Sequence, residues 1–245
     1  MDDLNFSLER GVVTAFLGRN GAGKTTTVNL LCGLTPPNAS RAWIGDWPAG
    51  SRVARAALGL CPQGNVVWPD LTCREQLEYS GRLHNLDARE ARRRALELLD
   101  ALDLNAKARS LARTLSGGLA RRLSPMALVH RPRLVITDEA EAGLDPQSRG
   151  QVREHLRSLT PGCTILACSH DMAEMERLAR RVIILEAGRI AAQGSPEDLK
   201  HALGLASVLT LDLSGAPDAL GGAFAQAARL VGNVTREGST LTANG

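Results

Sequence analysis

The chain has 245 residues, 44% hydrophobic and 22% charged, with a formal net charge of +3 at pH 7. A chain of this length holds one or two domains with a buried core, and its apolar content excludes wholesale disorder. Its aliphatic runs, such as Val182-Ile183-Ile184-Leu185, fall far short of the roughly 20 residues a membrane-spanning helix needs. Met1-Asp2-Asp3-Leu4 opens without the basic and apolar regions of a signal peptide.

The first element expected is a buried strand, Val12 to Leu17, which is β-branched and apolar. The glycine-rich run Gly18-Arg19-Asn20-Gly21-Ala22-Gly23-Lys24-Thr25 follows at once. A helix is then predicted over Thr26 to Cys32, stopped by Gly33 and Pro36-Pro37. Leu58 to Cys61 is a short strand candidate ahead of Pro62-Gln63. From about 65 to 132 the texture is all-helical. Ala91, Ala95, Leu98, Leu99 and Leu102 mark one apolar helix face, with Arg92, Arg93 and Arg94 towards the polar side. Residues 82–131 hold ten Arg and Lys107 against five acids, most simply a solvated basic face, and the small overall charge does not argue for nucleic acid. Strand texture returns at Leu134–Thr137, Thr164–Cys168 and Val182–Leu185, with helical stretches between. The outer parts therefore read as α/β with a largely parallel sheet. Beyond Gly204 lie one strand candidate, Val208 to Leu213, and one helix candidate, Ala216 to Leu230. The five cysteines, Cys32, Cys61, Cys73, Cys163 and Cys168, form no C-x-x-C pair and read as reduced core thiols.

Gly18 to Thr25 fits G-x-x-x-x-G-K-[ST] between a strand and a helix. Glycines let backbone N–H groups converge on phosphate oxygens, and the helix N-terminus adds partial positive charge. In that chemistry Lys24 reaches the β/γ-phosphates and the Thr25 hydroxyl ligates Mg²⁺. The bland alternative is a chance glycine-rich turn. The loop alone leaves GTPase, kinase and ATPase open, and the absence of N-K-x-D counts against a GTPase. Asp138-Glu139 ends an apolar strand. An acid there can hold Mg²⁺, and the next carboxylate can polarise water at a γ-phosphate; a solvent-facing acidic cap is the alternative. Leu115-Ser116-Gly117-Gly118 reads either as a simple helix cap at Ser116 or as amides and a hydroxyl aimed at an anion. His170 alone is a weak signal.

The order of these motifs resembles the nucleotide-binding domain of ABC transporters, over residues 4–204. The glycine loop, Gly18 to Thr26, looks like Walker A and Gln63 like the Q-loop glutamine, a metal contact. Ser116, Gly117 and Gly118 look like the signature, and Asp138 like the Walker B aspartate with Glu139 as catalytic carboxylate. Asp145 looks like the D-loop acid and His170 like the switch histidine. The resemblance implies a P-loop NTPase fold with a core of residues 1–64 and 133–204. It implies an inserted all-helical subdomain at 65–132 and a short accessory segment at 205–245. It implies ATP and Mg²⁺, the metal held by Thr25, Gln63 and Asp138, and hydrolysis served by Glu139, His170, Gln63 and Asp138. The implied partners are a transmembrane permease and a second ATP-binding domain, paired head to tail on the cytoplasmic face of a membrane. The texture of 58–83 and 186–204 is similar to the drug- and lipid-exporting branch. A membrane surface or an acidic coupling helix is then a further reading of the basic face.

Departures from the family pattern accompany the match. The only aromatic upstream of the first strand is Phe6, in a core position, so an adenine-stacking residue is missing and the expectation is a chain that begins late. Ala140-Glu141 stand where the family has Pro-Thr, and a third carboxylate raises the pKa of its neighbours. The run from Gly118 to Asp138 is one residue short, with Pro125 inside an expected helix. Those changes predict ATP binding with weakened hydrolysis. The alternatives are a catalytically silent regulatory domain and a soluble ABC ATPase outside transport.

Overall fold

In the computed structural model, which describes residues 4–38, 41–64, 66–124, 128–139, 142–202, 208–212, 233–237 and 240–244, the first apolar run forms β1 (Val13–Leu17), buried at every position. The glycine loop leads into α1 (Lys24–Leu31), which starts two residues earlier than expected because Gly23, at φ 108°, turns the chain directly into the helix. A small hairpin follows, β2 (Trp43–Ile44) and β3 (Trp47–Pro48), then α2 (Arg52–Ala56) and β4 (Leu58–Cys61).

Between β4 and the next strand the described residues form α3 (Cys73–Leu83), α4 (Ala88–Ala101) and α5 (Gly117–Leu123). Thr72 and Glu75 make a reciprocal capping box at the start of α3, and Asp87 caps α4. The expected apolar face of α4 is the buried one: Ala91, Ala95, Leu98 and Leu99 are inaccessible or nearly so. Two of its arginines are paired within the helix, Arg93 with Glu90 and Glu97 and Arg94 with Glu90. Pro125 lies outside the described residues.

The chain then alternates through β5 (Leu134–Asp138), α6 (Pro146–Leu159), β6 (Thr164–Ser169), α7 (Met172–Leu178), β7 (Arg181–Glu186) and β8 (Arg189–Gly194). The sheet order is β4-β5-β6-β1-β7-β8. The first five strands are parallel, and β8 returns antiparallel beside β7. The sequence reading missed β8. Its turn, Ala187-Gly188, has positive φ at both residues, the geometry of a two-residue hairpin without the usual Asn-Gly signal.

Parallel strands covered on both faces read as continuous apolar runs, which is why β1, β5 and β6 were legible. Phe16, Ile136, Leu166 and Ile183 form one core cluster with Val28 of α1, all at most 2% exposed. Each such side chain contributes about 1.5–3 kcal/mol by burial. Phe6 packs on Phe16 with ring centroids 5.5 Å apart, the core role expected for it.

Two compact units result, Met1–Ser195 and Pro196–Gly245. The break falls before α8 (Pro196–Ala202), because proline has no N–H to continue a ladder and suits a helix start. The second unit also holds β9 (Val208–Asp212), β10 (Asn233–Glu237) and β11 (Thr240–Asn244), an antiparallel sheet of order β10-β11-β9. The strand expected at Val208–Leu213 is β9, and the helix expected at Ala216–Leu230 lies outside the described residues.

Candidate active site

Four of the singled-out motifs leave the sheet from neighbouring strands. Gln63 follows β4, Asp138-Glu139 ends β5, His170 follows β6, and Gly18 follows β1. Those strands are parallel and adjacent in that order, so the residues emerge along one edge, where open α/β sheets bind ligands.

The glycine loop has little freedom. A Cβ on Gly18 would stand 2.6 Å from the Leu185 carbonyl oxygen, so the loop passes close under β7. Gly23, in left-handed conformation, aims the first amides of α1 into the loop. Ala22 is buried; its amide donates to the Arg19 carbonyl, and its carbonyl accepts from the Gly188 amide. Asn20, Gly21, Thr25 and Thr26 are exposed along the rim. Lys24 is 7% exposed, and its ammonium donates to the Gly18 carbonyl at 2.6 Å. The cation is thereby held inside the loop that would receive phosphate.

The acidic strand end closes on this loop. Thr25 Oγ1 donates to Asp138 Oδ2 at 3.3 Å. Burial pushes the Asp138 carboxyl up from its ordinary range, and neighbouring Glu139 adds to this, while the Thr25 hydrogen bond, Lys24 and Arg121 pull it down. Glu139 is buried and sits at φ 53°, left-handed for a non-glycine residue. Its amide donates to the Cys168 carbonyl on β6 at 2.9 Å. Its Oε1 lies 2.8 Å from Nδ1 of His170, whose side chain is 63% exposed. Ala140 and Glu141 lie outside the described residues.

The signature residues open α5. Ser116 caps it by accepting from the Leu119 amide, which is the simple reading of that residue. A Cβ on Gly117 or Gly118 would meet nothing within 4 Å, so nothing in the described chain requires glycine there. Asp145 caps α6, accepting from the Ser148 amide at 3.0 Å and its hydroxyl at 2.6 Å. Those bonds hold its carboxyl below the usual range. A pocket of about 220 Å³ adjoins Glu139 and His170, lined among others by Gly143, Arg149, Cys168 and Glu174.

One residue that sequence reasoning missed joins these parts. Arg121, on α5, is 8% exposed and donates to the carbonyls of both Gln63 and Glu139. In the sequence it is one arginine among many; only the packing of α5 against the sheet edge distinguishes it. Gln63 contributes its carbonyl there, and its residue is exposed.

A strand-end carboxylate beside a loop threonine, with a buried cation across the loop, is a donor set for a hydrated divalent ion on a polyphosphate. The model for the family described as "ABC transporter" matches residues 1–142. The chain is 37% identical over 220 residues to the linearmycin resistance ATP-binding protein LnrL of Bacillus subtilis, across 88% of this chain and 71% of that protein. The chain belongs to the ABC transporter family. It carries that family's ATP-binding, ATP-hydrolysing domain. It is also 42% identical to a Nod factor export ATP-binding protein I of Paraburkholderia xenovorans, across 81% of this chain and 67% of that one. Human ATP-binding cassette sub-family A member 2 is 39% identical across 86% of this chain, which spans only 9% of that protein. Among solved structures, an ATP-binding subunit of an ABC transporter superposes with TM-score 0.76 at 29% identity, covering 83% of this chain and 86% of that one.

Proposed function

We propose that the protein is the motor subunit of an exporter of drug-like or lipid substrates, working as a head-to-tail pair of ATP-binding domains beneath a transmembrane permease. The observation that carries the reading is the 3.3 Å contact of Thr25 with Asp138, beside the Glu139–His170 pair. That contact supports a triphosphate seated on the glycine loop with its metal beside Asp138. The names of the relatives, linearmycin resistance and Nod factor export, support export and the substrate class.

In this reading the amides of Gly18 to Thr26 cradle the phosphates, and Lys24 leaves the Gly18 carbonyl to pair with the β/γ oxygens. Thr25, Asp138 and Gln63 would hold Mg²⁺, which when bound offsets phosphate charge during transfer. Glu139 accepts the proton of the attacking water. His170, steadied through Nδ1, offers its other nitrogen to the γ-phosphate. Ser116, Gly117 and Gly118 of one copy close over the nucleotide of the other, next to Asp145 in the loop before α6. The open space at Gly117 and Gly118 supports an approach from outside the chain.

No helix among the described residues is long and apolar enough to cross a membrane, so the permease supplies the path. Val66, Trp68, Tyr79 and Leu83 on the helical insertion are exposed apolar residues, with Trp68 edge-on to Tyr79 at 5.2 Å. They are the surface proposed for the permease, on the cytoplasmic side of the membrane. The test is ATP binding and phosphate release by the full chain and by Lys24→Ala. Loss of a charged hydrogen-bond donor is expected to weaken ATP binding about 10- to 100-fold with an unchanged melting temperature. Normal ATP affinity in the variant would overturn the site.

A further inference from the structure

We infer that Arg121 is a positioning residue: it fixes the backbone of Glu139 and ties it to the loop that begins at Gln63. The inference rests on the reading of Glu139 as the group that activates water.

The geometry is specific. A guanidinium presents five donors in a rigid planar fork. Here one terminal nitrogen serves the Gln63 carbonyl and the other the Glu139 carbonyl. Both hydrogen-bond acceptors are backbone atoms, so Arg121 acts on chain path, and its charge also faces the Glu139 and Asp138 carboxylates. A buried guanidinium persists only where its donors are satisfied, and burial already depresses the pKa of this one.

Glu139 needs such support. A non-glycine residue at φ 53° occupies a conformation that the surrounding structure must over-determine. Its amide is held by the Cys168 carbonyl, and its carbonyl accepts both from the Ala142 amide at 3.0 Å and from Arg121. With both peptide groups pinned, the side chain is left in reach of His170 at 2.8 Å.

The other arm reaches a loop that is pinned at both ends. Past Gln63, the Trp68 amide donates to Gln76 Oε1 at 2.8 Å, and Gln76 is fully buried on α3. Between the pins lies exposed Val66, with Trp68 exposed at the far pin, the apolar residues proposed above to meet the permease. A displacement of this loop moves the Gln63 carbonyl, and through one rigid fork it moves Glu139. Arg121 also stands on the helix opened by Ser116, so the same fork registers the position of α5.

The test compares wild type, Arg121→Gln, Arg121→Lys and Glu139→Gln as full chains. It measures kcat for ATP hydrolysis, ATP Kd, melting temperature and amide hydrogen exchange. Arg121→Gln is expected to lower kcat about 3- to 30-fold with ATP Kd and melting temperature near wild type. Faster exchange should be confined to residues 62–68 and the turn after Asp138. Arg121→Lys keeps the charge but reaches one carbonyl, so it should recover part of kcat. The inference is overturned by a wild-type kcat in Arg121→Gln, by full recovery with lysine, or by kcat and melting temperature falling together while Kd rises. If the glutamine variant fails to fold, the lysine variant decides alone: reduced kcat at unchanged Kd supports the bridge, and wild-type kcat ends it. Hydrolysis that persists in Glu139→Gln overturns the underlying site reading instead.

Discussion

Nδ1 of His170 and Oε1 of Glu139 lie 2.8 Å apart, joining the ends of two adjacent strands. Paired with a carboxylate, which only accepts, Nδ1 carries the hydrogen and leaves Nε2 for a second partner. Groups that act as one unit lose activity non-additively. Glu139→Gln is expected to lower kcat about 10²- to 10⁴-fold, His170→Ala to lower it by a smaller factor, and the double variant to fall no further than Glu139→Gln. Losses that multiply across the double variant would mean that the two residues work independently.

The stacked pair His84 and His130 gives the stability of the first unit a pH dependence. Their rings are parallel, 3.6 Å between centroids. Burial, then the neighbouring His84, push His130 down to about 4, and burial also lowers His84 and His155. The unfolded chain binds its proton near 6.5, before the folded chain does. Stability from neutral His130 is therefore complete above about pH 6.5 and is lost as the pH falls towards 4. Allowing for partial exposure, the change is about 1–2 kcal/mol. Urea unfolding at pH 7.5 and pH 5 checks it, and His130→Gln should reduce the difference in that interval, leaving the part that His84 and His155 contribute.

The elements that carry chemistry were legible because each rests on a local rule. The strand before Gly18 and the strand ending in Asp138 are apolar runs of the kind parallel strands require, and the glycine turn has a spacing with one physical reading. What the sequence concealed depends on tertiary placement. Arg121 on α5 is buried and bridging, while Arg93 on α4 is a solvent-facing partner of Glu90 and Glu97; nothing local separates them. β8 was hidden because Arg189 to Gly194 is rich in Ala and Gly, weak strand formers, and gains its place from pairing with β7.

The cysteines should be inert in the folded protein. All five are buried and free. Burial pushes Cys32 and Cys163 up to about 11 and Cys61 up to about 12, and it raises Cys73 and Cys168 as well. Thiolate is the reactive form, so at pH 8 a disulfide reagent should find no fast-reacting thiol in native protein and five after denaturation. A rapid native thiol would mark local opening around that residue.

Two glycines of similar appearance in the sequence should behave oppositely. Gly18→Ala places a Cβ 2.6 Å from the Leu185 carbonyl oxygen, a backbone atom that cannot swing away, so the variant should be destabilised. Gly118→Ala meets nothing within 4 Å at a helical position, where alanine is favoured over glycine by about 0.5–1 kcal/mol, so its melting temperature should hold or rise. If the nucleotide of a second copy must approach this spot, the same methyl obstructs it. Gly118→Ala is then expected to bind ATP as a monomer like wild type while losing turnover. In a Glu139→Gln background, it should also lose the ATP-dependent dimer seen by size-exclusion chromatography. A Gly118→Ala chain that dimerises and hydrolyses ATP at the wild-type rate would remove head-to-tail closure over Ser116, Gly117 and Gly118, while leaving the Lys24 and Asp138 walls of the site untouched.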